Sequence, residues 1–331
     1  MRELTPENAS EYLSSLGYAG AWRVRELGGG VSNTVLLAES GGRRWVLKQA
    51  LGRLRVAEEW LADRTRIHRE CAALRKLGAV LPAGAVPQVA FEDGENFVYA
   101  MEAAGEGARD WKSLLLEGTI EEEHAAAAGR LMAAQWKATW RSAEHRGWME
   151  EFGDQHCFDQ LRLDPYYRFT ARRHTDLAEA FEERIAGCAR DTYALVHGDW
   201  SPKNCLVAGG RVTLIDFEVI HYGDPGFDGG FLLNHLLLKS HHRPGWASRY
   251  RELAEVFWAE ALRGAPESYR EWLEDSTLRH LGCLHLARVD GKSPAEYLNE
   301  EARGRVRAVA REMILWPPRK VAEVWDRLRG Q

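Results

Sequence analysis

Residues 195–218 read LVHGDWSPKNCLVAGGRVTLIDFE, and this stretch decides how the whole chain is interpreted. Two short apolar runs flank Gly209-Gly210, a pattern that predicts a β-hairpin with a tight two-residue turn. Pairing about that turn places Cys205 opposite Leu214. The polar residues on either side of the two strands then lie at the open end of the hairpin.

Three oxygen-bearing side chains fall at this open end. Asn204 faces Ile215 in the predicted register, so its amide lies within one residue of facing the Asp216 carboxylate. Directly paired residues have side-chain roots about 5 Å apart, so the amide oxygen and the carboxylate can share one hard cation. Magnesium is the predicted occupant, because it takes one or two carboxylates together with phosphates. Asp199, on the loop before the hairpin, can accept a proton from an attacking hydroxyl.

The combination HGDxxxxN, followed by Asp-Phe-Glu twelve residues after the Asn, resembles the catalytic loop and metal motif of the aminoglycoside phosphotransferase and choline kinase superfamily. Residues 216–228, DFEVIHYGDPGFD, are also similar to this superfamily, including its methylthioribose kinase branch. The resemblance implies an α+β, bilobal, protein-kinase-like fold. It implies a small N-lobe with an antiparallel sheet and one helix, residues 1–102. A large, mostly helical C-lobe with the catalytic hairpin, residues 103–331, would also hold the acceptor site.

The same resemblance implies roles for individual residues. It makes Asp199 the catalytic base, Asn204 and Asp216 magnesium ligands, and His197 a support for the loop. Glu218 belongs to the DxE pattern of choline and methylthioribose kinases and is expected to reach metal or substrate. The resemblance favours a structural role for a sixth residue, Asp228.

The first hundred residues test this interpretation independently. Strands are predicted at 22–27, 34–39, 44–48 and 97–101, and one helix carries Ile67, Cys71 and Leu74 and ends at Gly78. Gly105 and Gly107 are the expected linker. From Glu121 the chain becomes helical, with one apolar stripe through Leu131, Met132, Gln135, Trp136 and Trp140.

A glycine stretch between the first two strands is typical of a phosphate-binding loop. Backbone amides at Gly29, Gly30, Ser32 and Asn33 can approach an anion there, and the loop resembles the Gly-x-Ser-Asn loop of the superfamily.

A lysine in the strand after this loop is expected to bind the nucleotide phosphates. Lys48 faces Val35 about Gly41-Gly42, which places its ammonium near the loop. Glu70 is its expected acidic partner, with Glu58 and Glu59 as weaker alternatives. The end of the last strand, at Glu102, is expected to offer backbone groups to the base of ATP or GTP.

A small acceptor is favoured over a protein. Only eleven residues separate Asp216 from Asp228, too few for an activation segment, and no Ala-Pro-Glu motif follows. Ser201 stands where protein kinases carry a lysine. Lys203 could supply that charge to the transferring phosphoryl group, or could form a structural pair with Asp216 across the hairpin.

The acceptor site is weakly marked. Tyr167 and Arg168, in the stretch 164–168, could stack on or hydrogen-bond a polyhydroxylated or anionic ligand. Residues 288–294 follow a helix and mostly fit a glycine-terminated cap, with Arg288 or Lys292 as possible substrate contacts. An aminoglycoside, a choline-like amine, methylthioribose and other acceptors stay open, as does the oligomeric state.

Composition narrows the class of protein. The 331 residues carry a formal net charge of −5, which argues against nucleic acid as a partner, and no run of apolar residues is long enough for a membrane span. Five scattered cysteines predict neither disulfides nor a zinc site. We expect a cytoplasmic enzyme. The alternatives are a nucleotide-binding pseudokinase and a metal-dependent hydrolase with ligands at His197, Asp199, Asp216 and His221.

Overall fold

The computed structural model describes residues 3–28, 32–53, 55 and 62–328. The chain divides into two compact units. The first comprises Met1–Glu106 with Asp216–Glu218, and the second comprises Gly107–Ile215 with Val219–Gln331. The boundary expected after residue 102 therefore lies four residues inside the first unit, and the short segment 216–218 belongs to that unit as well.

The first unit is built around an antiparallel sheet. Its strands are ordered β1-β2-β3-β5-β4. Two elements were not predicted: a short helix before the sheet and the edge strand β4. The sequence of β4 shows little alternation of apolar and polar residues. The elements are α1 (Ala9–Ser15), β1 (Arg23–Glu26), β2 (Asn33–Ser40), β3 (Arg43–Ala50), α2 (Arg66–Val80), β4 (Val89–Asp93) and β5 (Val98–Glu102).

The β2–β3 register is the one that the glycine pair predicted. Gly41 and Gly42 both have positive φ, 54° and 81°, which a two-residue hairpin turn of this kind requires. Val35 consequently pairs with Lys48. Apolar side chains of the sheet and of α1 form the core of this unit, and α2 continues two residues beyond the expected end at Gly78.

The second unit is mostly helical. A π-helix, Asp159–Arg168, contains Pro165, which lacks the N–H that regular helical bonding needs. The remaining elements are β6 (Arg109–Asp110), α3 (Trp111–Glu117), α4 (Glu122–Thr139), α5 (Arg146–Phe152), α6 (His156–Phe158), α7 (Phe169–Arg173), α8 (Ala178–Arg190), β7 (Ala194–Val196), β8 (Cys205–Ala208), β9 (Arg211–Leu214), β10 (His221–Gly223), α9 (Gly226–His242), α10 (Ala247–Ala261), α11 (Arg270–Asp290), α12 (Glu300–Leu315) and α13 (Val321–Val324).

The predicted hairpin is β8–β9. Cys205 pairs with Leu214, and Gly209 and Gly210 form the turn with φ of 53° and 71°. Two strands that are too short to be seen in the sequence join this region: β6 pairs with β8, and β10 pairs with β7. The hairpin prediction is therefore confirmed, with a longer strand-rich region than expected.

Helix α9 is buried along almost its whole length and packs against α11. A Cβ on Gly230 would lie 2.9 Å from the Thr277 carbonyl oxygen, so glycine is needed for the two helices to approach this closely. The predicted class, α+β with an antiparallel N-terminal sheet and a mostly helical remainder, is confirmed. Every helix in the described part of the chain is too short or too polar to cross a lipid bilayer.

Candidate active site

A buried lysine lies at the centre of a charge network in the first unit. Lys48 on β3 donates to both carboxylate oxygens of Glu70 on α2, at 2.7 Å each, and to Asp216 Oδ1 at 2.5 Å. The Glu70 carboxylate also accepts a 3.0 Å hydrogen bond from the Phe217 amide. Lys48 is only 4% exposed. The structure therefore brings Lys48 together with the partner that the sequence predicted and with the Asp-Phe-Glu motif.

The carboxylates decide the charge of this lysine. Burial lowers the pKa of Lys48, but the negative charges of Asp216, Glu70 and Glu218 outweigh burial and raise it above its ordinary value. Burial raises the pKa of the Glu70 carboxyl, while the Lys48 ammonium opposes that rise. Lys48 is thus a fixed cation.

Asp216 adopts an uncommon backbone conformation. Its φ is 72°, in the left-handed region that residues other than glycine rarely occupy. Such strain persists only where surrounding contacts impose it, and it concentrates at functional sites. Here the Lys48 ion pair and the Phe217 amide bond to Glu70 hold the segment.

Glu218 joins the end of the glycine stretch to α2. Its carboxylate accepts hydrogen bonds from Ser32 Oγ and Asn33 Nδ2, both at 3.1 Å, and from Arg66 Nε at 3.2 Å. Arg66 also donates to the Ser32 carbonyl at 2.5 Å. The sequence reasoning missed Arg66, because the Arg- and Glu-rich start of α2 gives no sign of which arginine is buried.

Some predicted nucleotide contacts lie outside the described residues, namely Gly29, Gly30, Glu58 and Glu59. Glu102 ends β5 with an exposed side chain. Its amide donates to the Gln88 carbonyl at 2.8 Å, so in this conformation that N–H is not available to a nucleotide base.

The catalytic loop of the second unit holds Asp199 between two cations. Asp199 Oδ2 lies 3.0 Å from Arg162 Nη2 and 3.8 Å from Lys203 Nζ. Arg162, in the π-helix, also donates through Nε to the Gly198 carbonyl at 2.7 Å. Arg162 was not predicted, since an isolated arginine in a helical stretch carries no local signal. Lys203 lies in the short 3₁₀ turn Pro202–Asn204, with its ammonium near Asp199.

Asp228 and His197 fix the backbone of this loop. The two Asp228 carboxylate oxygens accept the amides of His197 and Gly198 at 2.7 and 2.9 Å. The Asp199 amide donates to His197 Nδ1 at 3.1 Å, and His197 Nε2 donates to the Ile215 carbonyl at 3.0 Å. Burial raises the pKa of Asp228 to about 7, against the opposing effect of the two amides. Both residues therefore support the loop.

Asn204 is positioned by the same loop. Its Nδ2 donates to the Asp199 carbonyl at 3.0 Å, and its own carbonyl accepts the Ile215 amide at 3.0 Å. These bonds orient the amide group. The Asp216 side chain is 20% exposed. An amide oxygen and a partly exposed carboxylate are each the kind of oxygen donor that magnesium prefers, so each residue by itself suits the ion.

The structure gives the hydrolase alternative no support. His197 and His221 each use a ring nitrogen to bond a backbone carbonyl, that of Ile215 and Val219 respectively. Across residues 3–28, 32–53, 55 and 62–328, no group of three or more His, Cys, Asp or Glu side chains is placed to hold a metal ion.

The predicted acceptor residues are not grouped into one surface. Tyr167 is in the core and its hydroxyl donates to His280 Nδ1 at 2.7 Å, so we withdraw it as a ligand contact. Arg168 forms a two-bond ion pair with Asp159, at 2.7 and 3.0 Å. Arg288 does not follow the helix but lies inside α11, where it is buried and bonded to the Tyr166 hydroxyl at 3.3 Å.

Comparison with known proteins identifies a matching family and a similar enzyme. A family model described as Phosphotransferase enzyme family matches residues 23–272. A methylthioribose kinase of Escherichia coli O45:K1 (strain S88 / ExPEC) is 28% identical over 305 residues, covering 82% of this chain and 70% of the relative.

Solved structures share the fold. An ethanolamine kinase of Plasmodium vivax superposes with a TM-score of 0.57 at 11% identity, covering 90% of this chain and 85% of the other. The amicoumacin kinase hAmiN, solved with AMP-PNP, Ca²⁺ and Ami, gives 0.56 at 16% identity, covering 94% of both chains. At these identities the likeness concerns the fold.

Proposed function

The chain belongs to the phosphotransferase enzyme family, and from this premise we propose that it transfers the γ-phosphoryl group of ATP or GTP to a hydroxyl of a small metabolite, with magnesium. The membership confirms the suspected resemblance and the predicted enzyme class, a small-molecule kinase with an alcohol group as acceptor. The observation that carries the proposal is the buried Lys48 ammonium held by Glu70 and Asp216.

Lys48 supplies a fixed positive charge for the nucleotide phosphates. Its two carboxylate partners come from α2 and from the Asp-Phe-Glu motif, so the Lys48 side chain is held in one conformation. A charge that needs no reorganisation during the reaction stabilises developing charge efficiently. Glu218 already accepts three hydrogen bonds, so we assign it to holding Ser32 and Asn33 rather than to the metal.

Asn204 and Asp216 would hold magnesium. When bound, the ion neutralises charge on the transferring phosphates. The chain's own contribution is to orient the Asn204 amide through the Asp199 carbonyl and to hold Asp216 through Lys48.

Asp199 is the proposed catalytic base. Its carboxylate is positioned by Arg162, and its backbone by His197 and Asn204. In this role it accepts a hydrogen bond from the acceptor hydroxyl and orients it for in-line attack. Lys203, 3.8 Å from Asp199, is the cation of the loop that we propose contacts the transferring group.

The test is Asp199→Asn, which keeps the shape of the side chain and removes its charge. We expect turnover to fall by about a hundredfold to ten-thousandfold and nucleotide affinity, measured by thermal shift with magnesium, to change only a few-fold. Asp159→Asn is the control, because Asp159 pairs with Arg168 at the surface of the same unit. Methylthioribose is the first acceptor to assay, since the relative described above bears that name.

Retention of normal turnover in Asp199→Asn would reject the assignment. If the wild type binds nucleotide but shows neither phosphoryl transfer nor slow nucleotide hydrolysis that depends on Asp199, the chain is a pseudokinase.

A further inference from the structure

A second buried lysine lies on α9 in the second unit. Lys239 is 0% exposed, and its ammonium donates one long hydrogen bond, 3.3 Å, to the His235 carbonyl. In the described part of the chain no carboxylate lies within ion-pair distance of Lys239. An ammonium buried without a counter-ion is costly unless a ligand supplies the charge.

Two further cations surround this lysine. Burial, together with the charges of Lys112 and Arg288, lowers the pKa of Lys239 to about 7. The ammonium groups of Lys112 and Lys239 lie 5.8 and 5.6 Å from the centre of the Tyr297 ring. We call Lys112, Lys239 and Arg288 the cationic cluster.

The acidic residues near the cluster have other partners. Glu296 pairs with Lys112, and Asp110 caps α3 by accepting the Ser113 amide at 2.8 Å. Three basic side chains therefore stand against two carboxylates among the residues that the structure describes, and neither carboxylate bonds Lys239. His235, on the same helix, is neutral because burial and then the cluster charges hold its pKa well below its usual range.

Within residues 3–28, 32–53, 55 and 62–328, two buried polar atoms at the cluster have no hydrogen-bond partner. They are Nε of Arg288 and the hydroxyl oxygen of Tyr297. Nη1 of Arg288 donates to the Tyr166 hydroxyl and to the carbonyl and hydroxyl of Ser293. Buried polar atoms are normally bonded, so this N–H and this hydroxyl, near a lysine whose one hydrogen bond is long, can each still donate to an acceptor.

One face of α9 connects the cluster with the catalytic loop. Phe231, His235 and Lys239 recur at four-residue spacing, so they share that face. The Arg162 guanidinium lies 6.0 Å from the Phe231 ring centre and 3.0 Å from Asp199. At 1.5 Å per residue, Lys239 is about 12 Å along the helix from Phe231, a separation that a small molecule can span.

We propose that the acceptor is a small hydroxylated anion whose carboxylate or phosphoryl group binds Lys239, Arg288 and the Tyr297 hydroxyl while its alcohol reaches Asp199. This inference rests on the proposed kinase function and names the class of its substrate. Lys112 completes the positive field from the partly exposed side, where its side chain is 26% exposed.

The first experiment measures anion binding without nucleotide. Thermal shifts are recorded at constant ionic strength with glycerate, glycerol 3-phosphate and neutral glycerol. We expect one anion, at about ten times its Kd, to raise Tm by about 2 °C in the wild type and not in Lys239→Met. The identity of that anion separates a carboxylate from a phosphoryl ligand.

Two further variants provide a control and a second test of the site. Lys137→Met removes an exposed lysine of α4 and should keep the wild-type shift. Tyr297→Phe removes one hydroxyl, should reduce anion affinity several-fold, and decides the matter if Lys239→Met does not fold. An equal shift in Lys239→Met and the wild type, or no shift with either anion, would overturn the proposal.

The second experiment separates this inference from the proposed function. With an anionic alcohol as acceptor, Lys239→Met should raise KM by about tenfold to a hundredfold with kcat nearly unchanged. Lys137→Met should keep the wild-type KM for the same acceptor. If the wild type transfers no phosphoryl group to any acceptor while the anion still binds, the kinase assignment fails and the anion site stands; a wild-type KM for the anionic alcohol in Lys239→Met refutes the anion site.

Discussion

Each unit of the molecule buries one lysine, and the two lysines have opposite surroundings. Lys48 is bonded to Glu70 and Asp216, and their charges raise its pKa despite burial. Lys239 has no carboxylate partner among the described residues, and burial with the charges of Lys112 and Arg288 lowers its pKa to about 7. Burial alone therefore does not define the role of a lysine; the groups around it do.

The protein itself supplies the counter-ions of Lys48, whereas the counter-ion that we propose for Lys239 is a ligand. The carboxylates around Lys48 hold its ammonium in place whether or not a ligand is bound, which suits the proposed role of binding nucleotide phosphates. The cluster around Lys239 lacks that compensation, which suits a group that binds only when an anion arrives. This contrast can be tested by removing each cation in turn.

The largest effect is expected for Lys48→Met. Removing one partner of a buried ion pair leaves the Glu70 carboxylate without compensation, which typically costs about 3–5 kcal/mol of unfolding free energy. Kinase activity should also fall at least about a hundredfold, as expected for loss of a fixed electrostatic group. Urea denaturation and steady-state assays measure the two losses.

The double variant Lys48→Met/Glu70→Gln serves as the control. It removes the buried unpaired charge of Glu70 and leaves only that of the partly exposed Asp216, while an oxygen remains for the Phe217 amide, so much of the stability should return without the activity. Wild-type stability in the single variant would mean that the pair is not compensating a buried charge.

An intermediate effect of opposite sign is expected for Lys239→Met. Burial lowers the pKa of Lys239 from 10.5 to about 7. Between those values the unfolded chain binds a proton that the folded protein does not, so the wild type loses stability as pH falls from 10 toward 7. Removing the lysine removes this loss.

The measurement is urea denaturation at pH 7.5 and at pH 9. Lys239→Met should be more stable than the wild type at pH 7.5, and the gap should narrow by about 2 kcal/mol at pH 9, at about 1.4 kcal/mol per pH unit. Groups that face Lys239 and must be kept intact are Lys112, Arg288, His235, Asp110 and Glu296. A gap that does not change with pH would show that Lys239 is protonated in the folded protein.

The two lysines also differ in how well the sequence predicted them. The pairing of Lys48 with Val35 followed from Gly41-Gly42, because a two-residue turn fixes the register of a hairpin. The same reasoning placed Cys205 opposite Leu214. The position of a tight turn in a single sequence is therefore enough to predict which residues pair across the hairpin.

Tertiary contacts between distant segments were not predictable in this way. Arg66, Arg162 and Lys239 are single basic residues in helical stretches, and no local pattern distinguishes a buried one from a solvated one. Tyr167 shows the reverse error, since an aromatic residue beside an arginine fits a ligand site as well as a core. The acceptor region was therefore the weakest part of the sequence-based account, although Arg288 was named there.

The smallest effect is expected for Lys112→Met, which tests whether the cationic cluster acts as a unit. Its ion pair with Glu296 is partly exposed, 26% and 65% for the two side chains, so its loss should change stability by less than about 1 kcal/mol at pH 7.5. The variant removes a positive charge near Lys239 and frees a negative one, and both changes raise the pKa of Lys239. The gain in stability between pH 7.5 and 9 should therefore be smaller than in the wild type, whereas Lys137→Met should keep the wild-type gain. If Lys112→Met and Lys137→Met behave alike, Lys112 does not act on Lys239, and the cluster reduces to Lys239 and Arg288.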